Sequence, residues 1–201
     1  IRQRLDQAFA AEQWQQVIDL GSELQQSSDE VSRALALSSY QLFQRGPAYP
    51  LIKAAYRLYP KDLELRAALA DLELDHDVSL AQSLAESVLA VDPGQWRASL
   101  VLAACHSRFG KPKDSERVLR ELLQHNPDCN LAWQRLSFFL RKSQRVDDDL
   151  AAMREWTKRC PNKAEAWSHC GMSAVMNTEV AMGREYLHHA LALDPNNHEA
   201  L

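Results

Sequence analysis

The stretch Ala164–Pro195, AEAWSHCGMSAVMNTEVAMGREYLHHALALDP, decides how this chain folds. Its first part carries Trp167, Cys170, Gly171 and Ala174, an apolar or small stripe at helical spacing. The pattern breaks at Asn177–Thr178, and a second run then puts Gly183, Leu187 and Ala190 on one face before Pro195. Proline has no N–H to give and crowds the preceding turn, so it closes the second helix. The stretch therefore predicts two helices joined by a tight turn. Gly171 and Gly183 are expected to let the two helices approach closely, with Trp167 and Leu187 filling the space between them.

Working outward, the closing proline recurs. Pro60, Pro93, Pro127, Pro161 and Pro195 stand 33, 34, 34 and 34 residues apart, and RLYP, AVDP, QHNP, KRCP and ALDP each end a helical pattern. A fixed period of this length is the mark of an array of stacked units. The units run roughly over 1–28, 29–60, 61–93, 94–127, 128–161 and 162–195, with the start of a further helix at 196–201. Ahead of the clear units, Leu5, Phe9, Trp14, Val17, Ile18 and Leu24 sketch a degenerate first pair. The whole of 1–201 is expected to be one array. Because it begins at Ile1 rather than Met, it is expected to be part of a longer chain that continues past Leu201.

The pattern resembles the tetratricopeptide repeat. Trp133, Leu136 and Leu140 match its first-helix positions in one unit, and Trp167, Cys170 and Gly171 in the next. Ala48, Ile52, Ala55 and Pro60 match the second helix, as do Ala81, Ala85, Val88 and Pro93, with Ser115, Leu119, Leu122 and Pro127 a poorer fit. Asp149, Met153, Trp156 and Pro161 depart furthest, with an acid and a large ring where small residues are usual, so that unit is expected to pack slightly open. The resemblance implies an all-α fold, a right-handed superhelical α-solenoid of antiparallel helix pairs whose concave face is lined by the first helices.

Counting from the position of Trp133 and Trp167, the resemblance turns a set of residues toward that face. It comprises Arg33, Tyr40, Arg66, Leu100, Arg108, Gln134, Arg135, Phe138, Arg141, Lys142, His169 and Met172. Arginine recurs there although the chain carries a formal charge of −4, and apolar side chains interleave with it. Forked guanidinium donors beside adaptable apolar groups suit a carboxylate-bearing peptide. Two specialisations of the family do not fit. The clamp for an acidic C-terminal chaperone tail uses Lys and Asn, whereas the fifth position along here reads Leu37, Ala70, Ala104, Phe138 and Met172. The asparagine ladder of the O-linked N-acetylglucosamine transferase is absent from Ala34, Ala67, Val101, Arg135 and His169.

Composition narrows the function further. A negative net charge argues against nucleic acid as partner. No apolar run reaches the roughly 18 residues that cross a bilayer. Cys105, Cys129, Cys160 and Cys170 show no CxxC spacing and read as small apolar side chains in a reducing compartment. His188 and His189 are adjacent, so on a helix they point about 100° apart, and Glu185 adds little to a metal site there. Asp147, Asp148 and Asp149 lack a calcium-loop glycine and suit the first turn of a helix. No phosphate loop or nucleophile elbow appears. No cofactor and no metal are expected, nor catalysis. The expectation is a cytoplasmic scaffold that binds a protein or peptide partner in its concave groove. Two other readings stay open: the substrate-recognition arm of a larger glycosyl- or sulfotransferase, and a bacterial envelope or polysaccharide export assembly factor, for which a periplasmic site would serve.

Overall fold

The computed structural model describes residues 4, 7, 8, 11, 13–23, 29–42 and 45–200. Among them run eleven helices: α1 Trp14–Glu23, α2 Asp29–Gln41, α3 Arg45–Leu58, α4 Leu63–Glu73, α5 Val78–Leu89, α6 Trp96–Arg108, α7 Pro112–His125, α8 Asn130–Lys142, α9 Val146–Arg159, α10 Ala164–Met176 and α11 Val180–Leu193. The fold is all-α, built from consecutive helix pairs. Two compact units divide it, residues 1–109 with α1–α6 and residues 110–201 with α7–α11. Within each unit every helix packs on the next. First helices also touch first helices, α2 on α4 and α4 on α6 in one unit, α8 on α10 in the other. This is the neighbour-to-neighbour stacking of a helical solenoid.

The repeat positions form the core. Ala48, Ile52, Ala55, Ala81, Ala85, Val88, Leu119 and Leu122 are all buried, as are Trp133, Leu136, Leu140 and Cys170. In the degenerate first pair Val17 is buried and Trp14 and Ile18 half-buried, while Leu5, Phe9, Leu24 and Leu201 lie outside the described residues. One expectation needs correcting. The unit holding Asp149, Met153 and Trp156 does not pack open, because all three are at most 1% exposed. Trp156 stacks on Trp133 with ring centroids 6.0 Å apart, and Asp149 accepts a 2.7 Å hydrogen bond from the Ser173 hydroxyl. Trp167 does pack between α10 and α11, but at the edge of the gap and not in its centre. It is half-buried, its ring lies against Tyr186 and His189, and its indole N–H donates to the Pro161 carbonyl at 2.7 Å.

The glycines at that gap do what the sequence predicts. A Cβ on Gly171 would sit 2.7 Å from Leu187 Cγ and 3.0 Å from the Gly183 carbonyl oxygen. One on Gly183 would meet Val175 Cγ2 at 2.6 Å and the Gly171 carbonyl at 2.9 Å. Neither helix has room for a methyl group here, and the backbones themselves are in contact.

Helix ends are set locally. Asp62 caps α4 by accepting from the Glu64 and Leu65 N–H groups, Asp77 caps α5 through Ser79 and Leu80, and the Gln95 amide oxygen caps α6 through Ala98. Left-handed residues recur at a fixed interval: Gly110 (φ 69°), then Gln144 (φ 58°) and Thr178 (φ 67°) in the turns after α8 and α10, each 34 residues from the last. After Gln144 the Arg145 N–H reaches back to the Leu140 carbonyl at 2.9 Å, and after Thr178 the Glu179 N–H reaches Ala174 at 2.9 Å. These bonds close the orphan carbonyls of α8 and α10. Only the first of the three positions holds glycine. A β-branched residue in the left-handed region is strained by about 1–2 kcal/mol. Thr178→Gly is therefore expected to stabilise the second unit by about 1 kcal/mol, read as a higher denaturation midpoint with unchanged slope. A lower midpoint would show that the Thr178 side chain makes contacts that outweigh the strain.

Candidate functional site

The arginines of the first unit sit between repeats. Arg33 of α2 pairs with Asp62, the cap of α4, and with Glu64 at 2.9 Å. Burial opposes ionisation of Asp62, but the Arg33 guanidinium and two backbone N–H groups hold its carboxyl below the usual range. Arg66 donates to the Pro60 carbonyl and, at 3.4 Å, to the Ser87 hydroxyl. Arg108 of α6 donates to the Leu74 carbonyl and pairs with Asp75 at 3.3 Å. Tyr40 gives its hydroxyl proton to Asp71 at 2.9 Å, and burial together with that carboxylate pushes its pKa up to about 12. Each of these side chains was expected in an open groove, and each is engaged by another group of the chain, Arg108 while remaining exposed. Leu100 is a correction of another kind: it is 5% exposed and belongs to the core.

The second unit presents a different face. On α8 and α10, Phe138 is 64% exposed, Met176 53% and Val175 43%, with Met172 half-buried among them. Arg135 and Lys142 lie on α8 with Gln134, and Arg141 reaches across to α10 with an N–H 3.7 Å from the Met176 sulfur. Large apolar side chains here stand in water beside cationic ones. Such a patch is uncommon on a surface with no partner.

Beneath that face lies a buried polar cluster. Asp149 of α9 is held by Ser173 and faces Arg141 Nε at 3.8 Å, but its Oδ1 has no hydrogen-bond partner. Trp156 Nε1 and both ring nitrogens of His169 are likewise unpartnered, although His169 Nε2 lies 3.1 Å from a Glu199 oxygen without hydrogen-bond alignment. The Trp156 and His169 rings are 5.4 Å apart. His169, expected on the groove, is only 9% exposed. Burial, reinforced by Arg141 and opposed by Glu199 and Asp149, lowers its pKa below 6.5.

Sequence reasoning missed a third feature, a cavity of about 150 Å³ on the first helices of the first unit. Leu37, Tyr40 and Gln41 of α2, Glu64 and Ala68 of α4, and Gln95, Trp96 and Arg97 at the start of α6 line it. The Arg97 guanidinium lies 4.6 Å from the Trp96 ring centroid and 5.3 Å from that of Tyr40, and it donates to Gln41 Oε1 at 3.0 Å. Counting onward from the tryptophan slot of each repeat overlooked it, since Trp96 and Arg97 precede that slot. The signal was the aromatic–basic pair directly after a capping residue. Among the described residues no three His, Cys, Asp or Glu side chains converge as metal ligands, and no helix is long and apolar enough to cross a membrane.

A family model described as tetratricopeptide repeat matches residues 74–137. No curated protein matches the sequence. Among solved structures, a thermophilic TPR protein of Thermus thermophilus, TTC0263, superposes with a TM-score of 0.64 at 17% identity, covering 86% of this chain and 95% of its own. MamA 41-end from Desulfovibrio magneticus RS-1 gives 0.62 at 16% identity, covering 86% and 98%. At such identities the likeness is one of fold.

The buried imidazole makes stability depend on acidity. The unfolded chain takes up a proton near pH 6.5 that folded His169 resists, so stability is full above that pH and falls as the medium becomes more acidic. Denaturant melts at about pH 7.5 and about pH 5.5, either side of the ordinary imidazole value, are expected to show a larger loss for the wild type than for His169→Gln. Equal losses would mean that His169 titrates alike in both states.

Proposed function

We propose that the chain, whose residues 74–137 match the tetratricopeptide repeat and whose fold is that of a helical solenoid, is a protein–protein interaction scaffold, acting by binding rather than catalysis. Its partner is a peptide segment with apolar and acidic residues, seated on the first-helix face of α8 and α10. The observation that carries this reading is the exposure of Phe138 and Met176 on helices that also carry Arg135, Arg141 and Lys142. Covering a phenyl ring such as that of Phe138 contributes about 1.5–3 kcal/mol. Met172 and Met176 bend to fit a partner's side chains. The cations at the rim favour carboxylates and speed encounter, adding less to affinity than the apolar anchor. The arginines of the first unit give less support, being tied to acids and carbonyls of neighbouring repeats.

The test is capture from native lysate by the wild-type chain beside a Phe138→Ala, Lys142→Glu double variant, with bound proteins identified by mass spectrometry. Loss of an anchor of this kind weakens binding by about 2–4 kcal/mol, enough to abolish capture at micromolar affinity. A partner retained by the wild type and absent from the variant is the expected result. Equal retention by both would place the site on another surface.

A further inference from the structure

We infer that the cavity bounded by Tyr40, Gln41, Gln95, Trp96 and Arg97 is a subsite for one glutamate side chain of a peptide ligand. The inference rests on the reading of the chain as a peptide binder, but concerns a different part of the molecule from Phe138.

The argument is an inventory of donors and acceptors. Arg97 has only N–H groups to offer, so the Gln41 atom that receives its hydrogen bond must be the amide oxygen. The Gln95 oxygen is likewise assigned, because it accepts the backbone N–H of Ala98 at 2.9 Å. Both glutamines are thereby turned with their NH₂ groups left as donors. The hydroxyl proton of Tyr40 goes to Asp71. The one carboxylate in the lining, Glu64, is paired with Arg33 at 2.9 Å. What remains for an occupant is the part of the guanidinium not given to Gln41 and the Tyr40 hydroxyl, and two amide donors, around an apolar floor of Leu37 and Ala68, 5% and 1% exposed. A ligand of many acceptors and no donors answers that set, and a carboxylate is one. A cationic occupant is disfavoured because Arg97 already covers the faces of Tyr40 and Trp96.

Size and rigidity agree. About 150 Å³ admits a single side chain and excludes a helix or a folded loop. Arg97 is held between two rings and a glutamine, so little rotamer freedom remains to be lost when its fork meets a carboxylate. The partly enclosed floor strengthens that pairing relative to an exposed ion pair.

The experiment is an NMR titration of the 201-residue chain, following the Arg97 Nε–H and Trp96 indole N–H signals. The probes are N-acetyl-glutamate N-methylamide and its glutamine counterpart, which differ in one charge and nearly nothing in shape. Saturable shifts with the glutamate probe are expected, with the glutamine probe weaker by roughly tenfold or more, as for a charge-assisted pair. Arg97→Lys should weaken the glutamate probe, and Arg97→Gln should abolish the shifts of Trp96. Equal response to both probes, no response to either, or shifts that persist in Arg97→Gln would overturn the subsite. Such a failure with Phe138-dependent capture intact removes the subsite alone; loss of that capture as well removes the peptide-binding reading beneath it.

Discussion

A single pair of helices has more apolar surface than it is able to cover, and everything else in this protein follows from covering it with the next pair. The alanines and leucines at recurring positions are nearly all buried for that reason. The constraint is tightest between α10 and α11, where Gly171 and Gly183 bring backbone against backbone and Leu187 and Val175 close over the space a methyl group would need. It is loosest where bulk has entered. Trp156 is accommodated by stacking on Trp133, and Asp149 by the hydroxyl of Ser173.

The same stacking explains where the charges went. Residues one repeat apart are neighbours in space, so a cation on one helix meets acids and carbonyls of the next: Arg33 with Asp62 and Glu64, Arg108 with Asp75, Arg145 with Glu116 and Lys163 with Asp128. Partly exposed pairs of this sort contribute about 0.2–1 kcal/mol each, so they align neighbouring repeats more than they hold them together. The consequence for recognition is larger. Arginines that read as a basic groove are paired with acids and carbonyls in the first unit, and the surface left for a partner is set by the residues that no neighbour covers.

Sequence reading and structure part company at side chains sharing one repeat position. Leu37, Ala70, Ala104, Phe138 and Met172 occupy equivalent places, yet Leu37 and Ala70 are buried, Ala104 and Met172 half-buried, and Phe138 64% exposed. Leu100 and Gln134 differ in the same manner, the first in the core and the second half-buried. Position in the period says which way a Cβ points. It does not say whether the neighbour's side chain is long enough to reach over it.

The sequence alone therefore determined the helices, their pairing, the glycines at the close approach and the buried stripe, because these depend on backbone geometry and on periodicity within some tens of residues. Tertiary structure alone decided that Phe138 and Met176 stand in water, that Arg33 and Arg108 are engaged by the next repeat, and that Arg97 is clamped between Tyr40 and Trp96. Exposure and pairing are properties of two surfaces meeting, and a periodic pattern describes only one of them.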